Sequence, residues 1–79
     1  MKKVEIYSTP TCHFCHLAKD YFTAHKIDFT EYNVATDVEK RKEMLNKSGQ
    51  MGVPVIIVDD KDIIVGFDQS RLEDLLEVK

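Results

Sequence analysis

The sequence predicts a small α/β fold, a four-stranded mixed sheet with helices on both faces. Three observations predict it. Strand-like and helix-like runs follow one another in the order β-α-β-α-β-β-α. The first β-α-β unit implies a parallel, right-handed crossover, while the last two strands are close enough to form an antiparallel hairpin. The run Val55–Val58 is continuously apolar, as expected of a strand covered on both faces. With 79 residues the chain is read as a single domain, residues 1–79. A chain this short buries only about 60% of its unfolded surface, so one layer must pack closely on another.

Each element has its own signal. Lys3 to Tyr7 places Val4 and Ile6 on one face and suits a short strand. Ser8-Thr9-Pro10-Thr11 is a loop. From His13 to Lys26 the apolar residues Phe14, Leu17, Ala18, Tyr21 and Phe22 recur at helical spacing. Residues 28–34, with Phe29, Thr30, Tyr32 and Val34, read as the second strand. Thr36 and Glu39 fit a capping box that opens a second helix. That helix runs to about Lys47 and stops at Ser48-Gly49, with a thin apolar face of Val38, Met44 and Leu45. After Val55–Val58, Asp59-Asp60-Lys61 is a turn and Ile63 to Val65 returns as the hairpin partner. Asp68 or Ser70 caps a last helix that turns Leu72, Leu75 and Leu76 inward.

Composition narrows the function. Hydrophobic residues make up 43% and charged residues 32%, the balance of an ordinary folded domain. A formal net charge of −3 argues against a nucleic-acid partner, which usually meets a basic surface. The start Met1-Lys2-Lys3-Val4-Glu5-Ile6 holds no signal-peptide apolar region, and no run approaches the roughly 20 apolar residues that span a bilayer. A cytoplasmic monomer without membrane contact is therefore expected.

The two cysteines carry the chemistry. Cys12 and Cys15 would close too short a loop to stabilise the chain much as a disulfide. Cys12 falls at the start of the first helix, where free N–H groups and the positive end of the dipole favour a thiolate. Thiolates are the nucleophiles of disulfide exchange. Cys15 lies one turn inside, within reach of Cys12, so Cys12 is expected to attack and Cys15 to resolve. A protonated His13 between them would favour the thiolate further, and Phe14 completes the intervening pair. Cys12 to His16 also spells the c-type haem attachment string, but the strand–loop–helix setting fits a redox motif better. A zinc site is disfavoured because two Cys and two His on one helical turn cannot surround a metal. His16 is expected to be an exposed helix residue, and His25 an exposed or capping one.

The motif Cys12-His13-Phe14-Cys15, within this element order, resembles the glutaredoxins over nearly the whole chain. Ile6-Tyr7, Lys40-Arg41, Glu43-Met44, Ser48-Gly49, Val53-Pro54 and Gly66-Phe67-Asp68 support the likeness. The resemblance implies a thioredoxin fold and reduction of protein disulfides or glutathione mixed disulfides. It implies a cis bond before Pro54, with the Val53 backbone free to pair with a bound peptide. It assigns Arg41 to the glycine carboxylate of glutathione, and Gly66, Phe67 and Asp68 to its γ-glutamyl end. No bound cofactor is expected, with glutathione as co-substrate. A thioredoxin-reductase-type flavoenzyme is the alternative reductant, as in glutaredoxin-like electron donors of ribonucleotide reductase. Some family members instead hold an iron–sulfur cluster between two subunits. The chain also departs from the pattern. Thr9 stands where a Lys is common, His13 follows the first Cys where Pro is usual, and Phe14 replaces Tyr. Gly52 precedes Val-Pro in place of Thr, and Val65-Gly66 replaces a Gly pair.

Overall fold

Seven elements follow in the computed structural model, which describes residues 3–76. They are β1 (Val4–Ser8), α1 (His13–Ala24), β2 (Thr30–Asn33), α2 (Val38–Ser48), β3 (Val55–Val58), β4 (Asp62–Val65) and α3 (Gln69–Leu76). The sheet order is β2-β1-β3-β4, with β1 and β2 parallel and the other pairs antiparallel. This is the expected mixed sheet. All five β1 residues are buried, because β1 is a central strand covered on both sides. Alternation therefore understated it: Glu5 and Tyr7 are as enclosed as Val4 and Ile6.

Strand pleating sends alternate side chains to opposite faces. Val4, Ile6, Ile56, Val58 and Ile64 meet Ala18, Tyr21 and Phe22 of α1 and Leu72 of α3. Leu75 and Leu76 pack against the same cluster. On the other face Tyr7, Val55 and Ile57 meet Met44 of α2, together with Val34. Helices thus cover both faces.

Local chemistry sets the ends. The second helix is capped by Asp37 rather than Thr36, its carboxylate accepting the Lys40 N–H at 3.1 Å. The Asn33 side chain accepts the Ala35 N–H and the Asn33 carbonyl accepts the Asp37 N–H, so the turn after β2 takes up Thr36. Gly49 closes α2 at φ 75°, the left-handed conformation that glycine takes without strain. The first helix stops at Ala24, two residues short of the expected Lys26, which itself adopts φ 56°. The second strand covers only the middle of 28–34. Asp59 and Asp60 both take positive φ in the β3–β4 turn, a conformation that aspartate tolerates better than most residues.

Candidate active site

Cys12 is the N-cap of α1, with the extended dihedrals of that position (φ −83°, ψ 112°). Its Sγ accepts the Cys15 N–H at 3.1 Å, and its carbonyl accepts the His16 N–H at 3.2 Å. The sulfur thus occupies the place where a Ser or Asp oxygen usually meets the unpaired N–H groups of a helix start. Both cysteines are reduced; Cys12 is half-buried and Cys15 fully buried. Burial is the main force pushing the Cys15 thiol up to about 12, followed by its hydrogen bond with Cys12. The Thr9 backbone and the charge of Lys19 pull the other way. At neutral pH Cys15 is therefore a neutral thiol behind Cys12.

The loop before the helix is tied from several directions. The Cys12 N–H donates to the Thr9 carbonyl at 3.3 Å. His16 Nε2–H donates to the Pro10 carbonyl at 2.9 Å, which gives this exposed side chain a partner and fixes its tautomer. Ser8 closes β1 and is buried, and its hydroxyl donates to Glu31 of β2 at 2.7 Å. The same Glu31 oxygen receives Lys19 Nζ at 2.7 Å. Lys19 and Ser8 hold the Glu31 carboxyl below the ordinary carboxylate range. Ser8 reads as loop but ends β1, because it pairs with Asn33 of β2, and neither Lys19 nor Glu31 belongs to a sequence motif.

The remaining candidate residues fall into two groups. Tyr7 pairs with Val55, and Val55 with Val65, so Pro54 and Gly66 lie at the sheet end from which the cysteine loop leaves. The Val53–Pro54 bond is cis, as expected. Gly66 donates its N–H to the Pro54 carbonyl at 2.8 Å and takes φ 86°, which a residue bearing a Cβ rarely adopts. Val53 is half-buried against the α2-side cluster. Phe67 packs inward against Tyr21, with ring centroids 5.9 Å apart, and Asp68 caps α3 by accepting the Arg71 N–H. Of the two caps considered for that helix, Asp68 is therefore the one used. Arg41 is exposed on α2, on the other side of the sheet from α1. His13 is exposed, its ring set edge-on to Phe14. His25 caps the end of α1 and lies against Tyr21.

Several large apolar side chains stay in solvent around these residues. Phe14 is 57% exposed, Leu17 37% and Val65 54%, and Met51, just before Gly52-Val53-Pro54, is 49% exposed. Phe14 and Leu17 thus keep helical spacing without joining the core, and Val38 and Leu45 do the same on α2. Gln50 brackets Gly52: its side chain accepts the Gly52 N–H and donates to the Gly52 carbonyl at 3.1 Å. Among the described residues, no helix is long and apolar enough to cross a membrane.

A family model described as Glutaredoxin matches residues 4–63. A glutaredoxin-like 8.6 kDa protein from the rubredoxin operon of Clostridium pasteurianum is 47% identical over 74 residues, 94% of this chain and 97% of that one. Glutaredoxin 3 of Escherichia coli strain K12 is 38% identical over 63 residues, 80% of this chain and 76% of its own. The solved structure of the glutaredoxin-like protein NrdH-redoxin from Escherichia coli superposes with a TM-score of 0.79 at 27% identity, covering 92% of this chain and 93% of that one. By its sequence matches and its β-α-β-α-β-β-α architecture, the chain belongs to the glutaredoxin family of redox proteins and has the thioredoxin fold.

Proposed function

We propose that the protein is a dithiol oxidoreductase in which Cys12 attacks disulfides and Cys15 resolves the product. One observation carries this reading: Cys12 caps α1 and receives the Cys15 N–H at 3.1 Å, while Cys15 is enclosed behind it. The Cys12 thiolate attacks one sulfur of a substrate disulfide. A Cys12–substrate disulfide forms, the substrate S–S bond breaks, and its electron pair leaves with the second sulfur. Cys15 then gives up its proton and attacks Cys12 Sγ, which releases the reduced substrate and leaves a Cys12–Cys15 disulfide. Two electrons from a reductant restore the dithiol.

Glutathione is the proposed reductant and a co-substrate, with no cofactor bound. Val53, Pro54 and Gly66 to Asp68 would line its path, with Arg41 facing its glycine carboxylate. Thr9, in place of the family's Lys, removes one attraction for an anionic thiol, so glutathione turnover should be measurable but weak. His13 would add to thiolate stabilisation when protonated. A second reading has a specific observation behind it. Phe14, Leu17, Met51 and Val65 offer apolar surface for a protein reductase, and the solved structure of NrdH-redoxin is described as having a thioredoxin-like activity profile. In either case we place the protein in the reducing cytoplasm as a monomer acting on protein disulfides.

The deciding experiment supplies electrons by two routes: millimolar glutathione with its reductase, and NADPH with thioredoxin reductase. Turnover of a glutathione mixed disulfide by the first route supports the glutathione reading. No turnover there, with rapid reduction by the second, transfers the assignment to the reductase-driven redoxin.

A further inference from the structure

Three elements meet at a single carboxylate beneath the thiol loop. Glu31 of β2 accepts Ser8 from the end of β1 and Lys19 from α1, each at 2.7 Å, on the same oxygen. Lys19 lies one turn beyond Cys15, at the i, i+4 spacing that stacks side chains on one helix face. Its side chain is only 22% exposed, and a buried serine on the neighbouring strand anchors its carboxylate partner. The ammonium is therefore held in place on the helix face that carries Cys15, rather than swinging in solvent. His16 adds a second tether, through the Pro10 carbonyl, between this helical turn and the loop that leads to Cys12.

Resting on the dithiol reading above, we propose that Lys19, held by Glu31 and Ser8, is the positioning residue for the resolving thiol. It supplies a fixed positive charge to Cys15 during displacement of the substrate sulfur. The step it assists forms the Cys15–Cys12 S–S bond and breaks the Cys12–substrate S–S bond. The electron pair departs on the substrate sulfur, and the Cys15 proton passes to water or to that leaving thiolate. Lys19 keeps its own proton throughout and contributes only its field. Burial opposes ionisation of Cys15; the Thr9 backbone is the larger counterweight, and the Lys19 charge adds to it. Glu31 keeps Lys19 from reaching solvent, and Ser8 keeps Glu31 from following it.

A symmetric bis-nitrobenzoate disulfide separates the two chemical steps, because each liberates one coloured thiolate. Attack by Cys12 releases the first, and resolution by Cys15 releases the second. Lys19→Met should leave the first phase unchanged and slow the second about tenfold. Lys19→Arg keeps the charge and should restore the second phase to within about twofold of wild type, which a loss of packing would not allow. Should Lys19→Met unfold, as judged by circular dichroism, Lys19→Gln gives the same comparison while keeping a donor toward Glu31. A second phase at wild-type speed in the uncharged variants overturns the proposal, as does one equally slow in Lys19→Arg. If Cys15→Ser still releases the second thiolate at the wild-type rate, the dithiol reading itself fails, and the role of Lys19 with it.

Discussion

The face of the sheet under α1 and α3 and the face under α2 are held by different forces. Beneath α1 the contacts are nearly all apolar: Phe22, Ala18, Ile6, Ile56, Val58 and Leu72 are almost wholly enclosed. Beneath α2 only Met44 of the helix is buried, and polar contacts supplement it. Tyr7 donates to Glu43 at 2.7 Å, and Lys40 and Lys47 lie 3.1 and 3.2 Å from the same carboxylate. Lys40 also sits 4.2 Å above the Tyr32 ring, and Tyr32 donates to the buried Glu5. Apolar burial does not titrate and is not screened, whereas ion pairs and charge-assisted hydrogen bonds respond to both pH and ionic strength. The thiols belong to the side held mainly by apolar packing, where Glu31, tied to Lys19 and Ser8, is the carboxylate held low, whereas the α2 side depends more heavily on contacts that acid removes.

The largest expected effect lies on the α1 side. Cys12→Ser should abolish disulfide exchange, whereas Cys15→Ser should leave Cys12 able to form mixed disulfides that accumulate and are seen by mass spectrometry. A brief iodoacetamide pulse on the reduced protein at neutral pH should label Cys12 and spare Cys15, which is enclosed and whose thiol is pushed up to about 12. Faster labelling of Cys15 would reverse the assignment of roles.

Stability should show the contrast next. Phe22→Ala removes an aromatic side chain from the enclosed face and should cost about 3–5 kcal/mol in urea unfolding. Met44→Ala should cost about 2–3 kcal/mol, because α2 keeps its polar ties and can settle over the gap. Equal losses would mean that the two faces are not built differently after all.

Acid is the third probe. Hydrogen bonds from Tyr7 and Lys40, and the nearby Lys47, hold the Glu43 carboxyl at about 2. A depressed folded value means that the carboxylate stabilises the fold above the ordinary carboxylate range. That contribution is lost as pH falls from about 5 toward 2. Glu43 is one-third exposed, so the loss should be only about 1 kcal/mol. Glu43→Gln should flatten this part of the stability–pH curve, and a curve identical to wild type would remove α2 as the acid-sensitive side.

The same contrast decides what could be read in advance. The apolar face announces itself as helical spacing in Ala18, Tyr21 and Phe22 and as the unbroken run Val55–Val58, because burial selects residue types directly. Glu5 reads as a solvent-facing charge, yet it is 4% exposed, since its environment depends on Tyr32 arriving from another strand. Glu31 meets Lys19 across 12 positions and Ser8 across 23, separations at which no periodicity operates. Both cysteines stand out because their spacing alone places them one turn apart at a helix start. Asp37 displaced Thr36 as a cap because neighbouring residues of similar capping strength are decided by the turn before them. Gly66 and the cis bond at Pro54 came through the family likeness, not through composition.

The smallest expected effect asks whether the α2 side shares in the site. Thr9 is half-buried in the loop whose carbonyl holds the Cys12 N–H, so a lysine there would set a cation beside the reacting sulfur. Arg41 is exposed on α2, on the far side of the sheet from α1. Exposed charges contribute about 0.2–1 kcal/mol each, so Thr9→Lys should raise kcat/KM for a glutathione mixed disulfide by up to about fivefold, and Arg41→Ala should lower it by a similar factor. Both changes should shrink at high salt, where the screening length falls to about 3 Å. The two variants separate the sides: a response to Thr9→Lys alone confines glutathione to the α1 side, and a response to both extends its path across to α2. Silence in both, with unimpaired reduction through thioredoxin reductase, would leave glutathione no charged contact at either position and favour a protein reductant docking on Phe14, Leu17, Met51 and Val65.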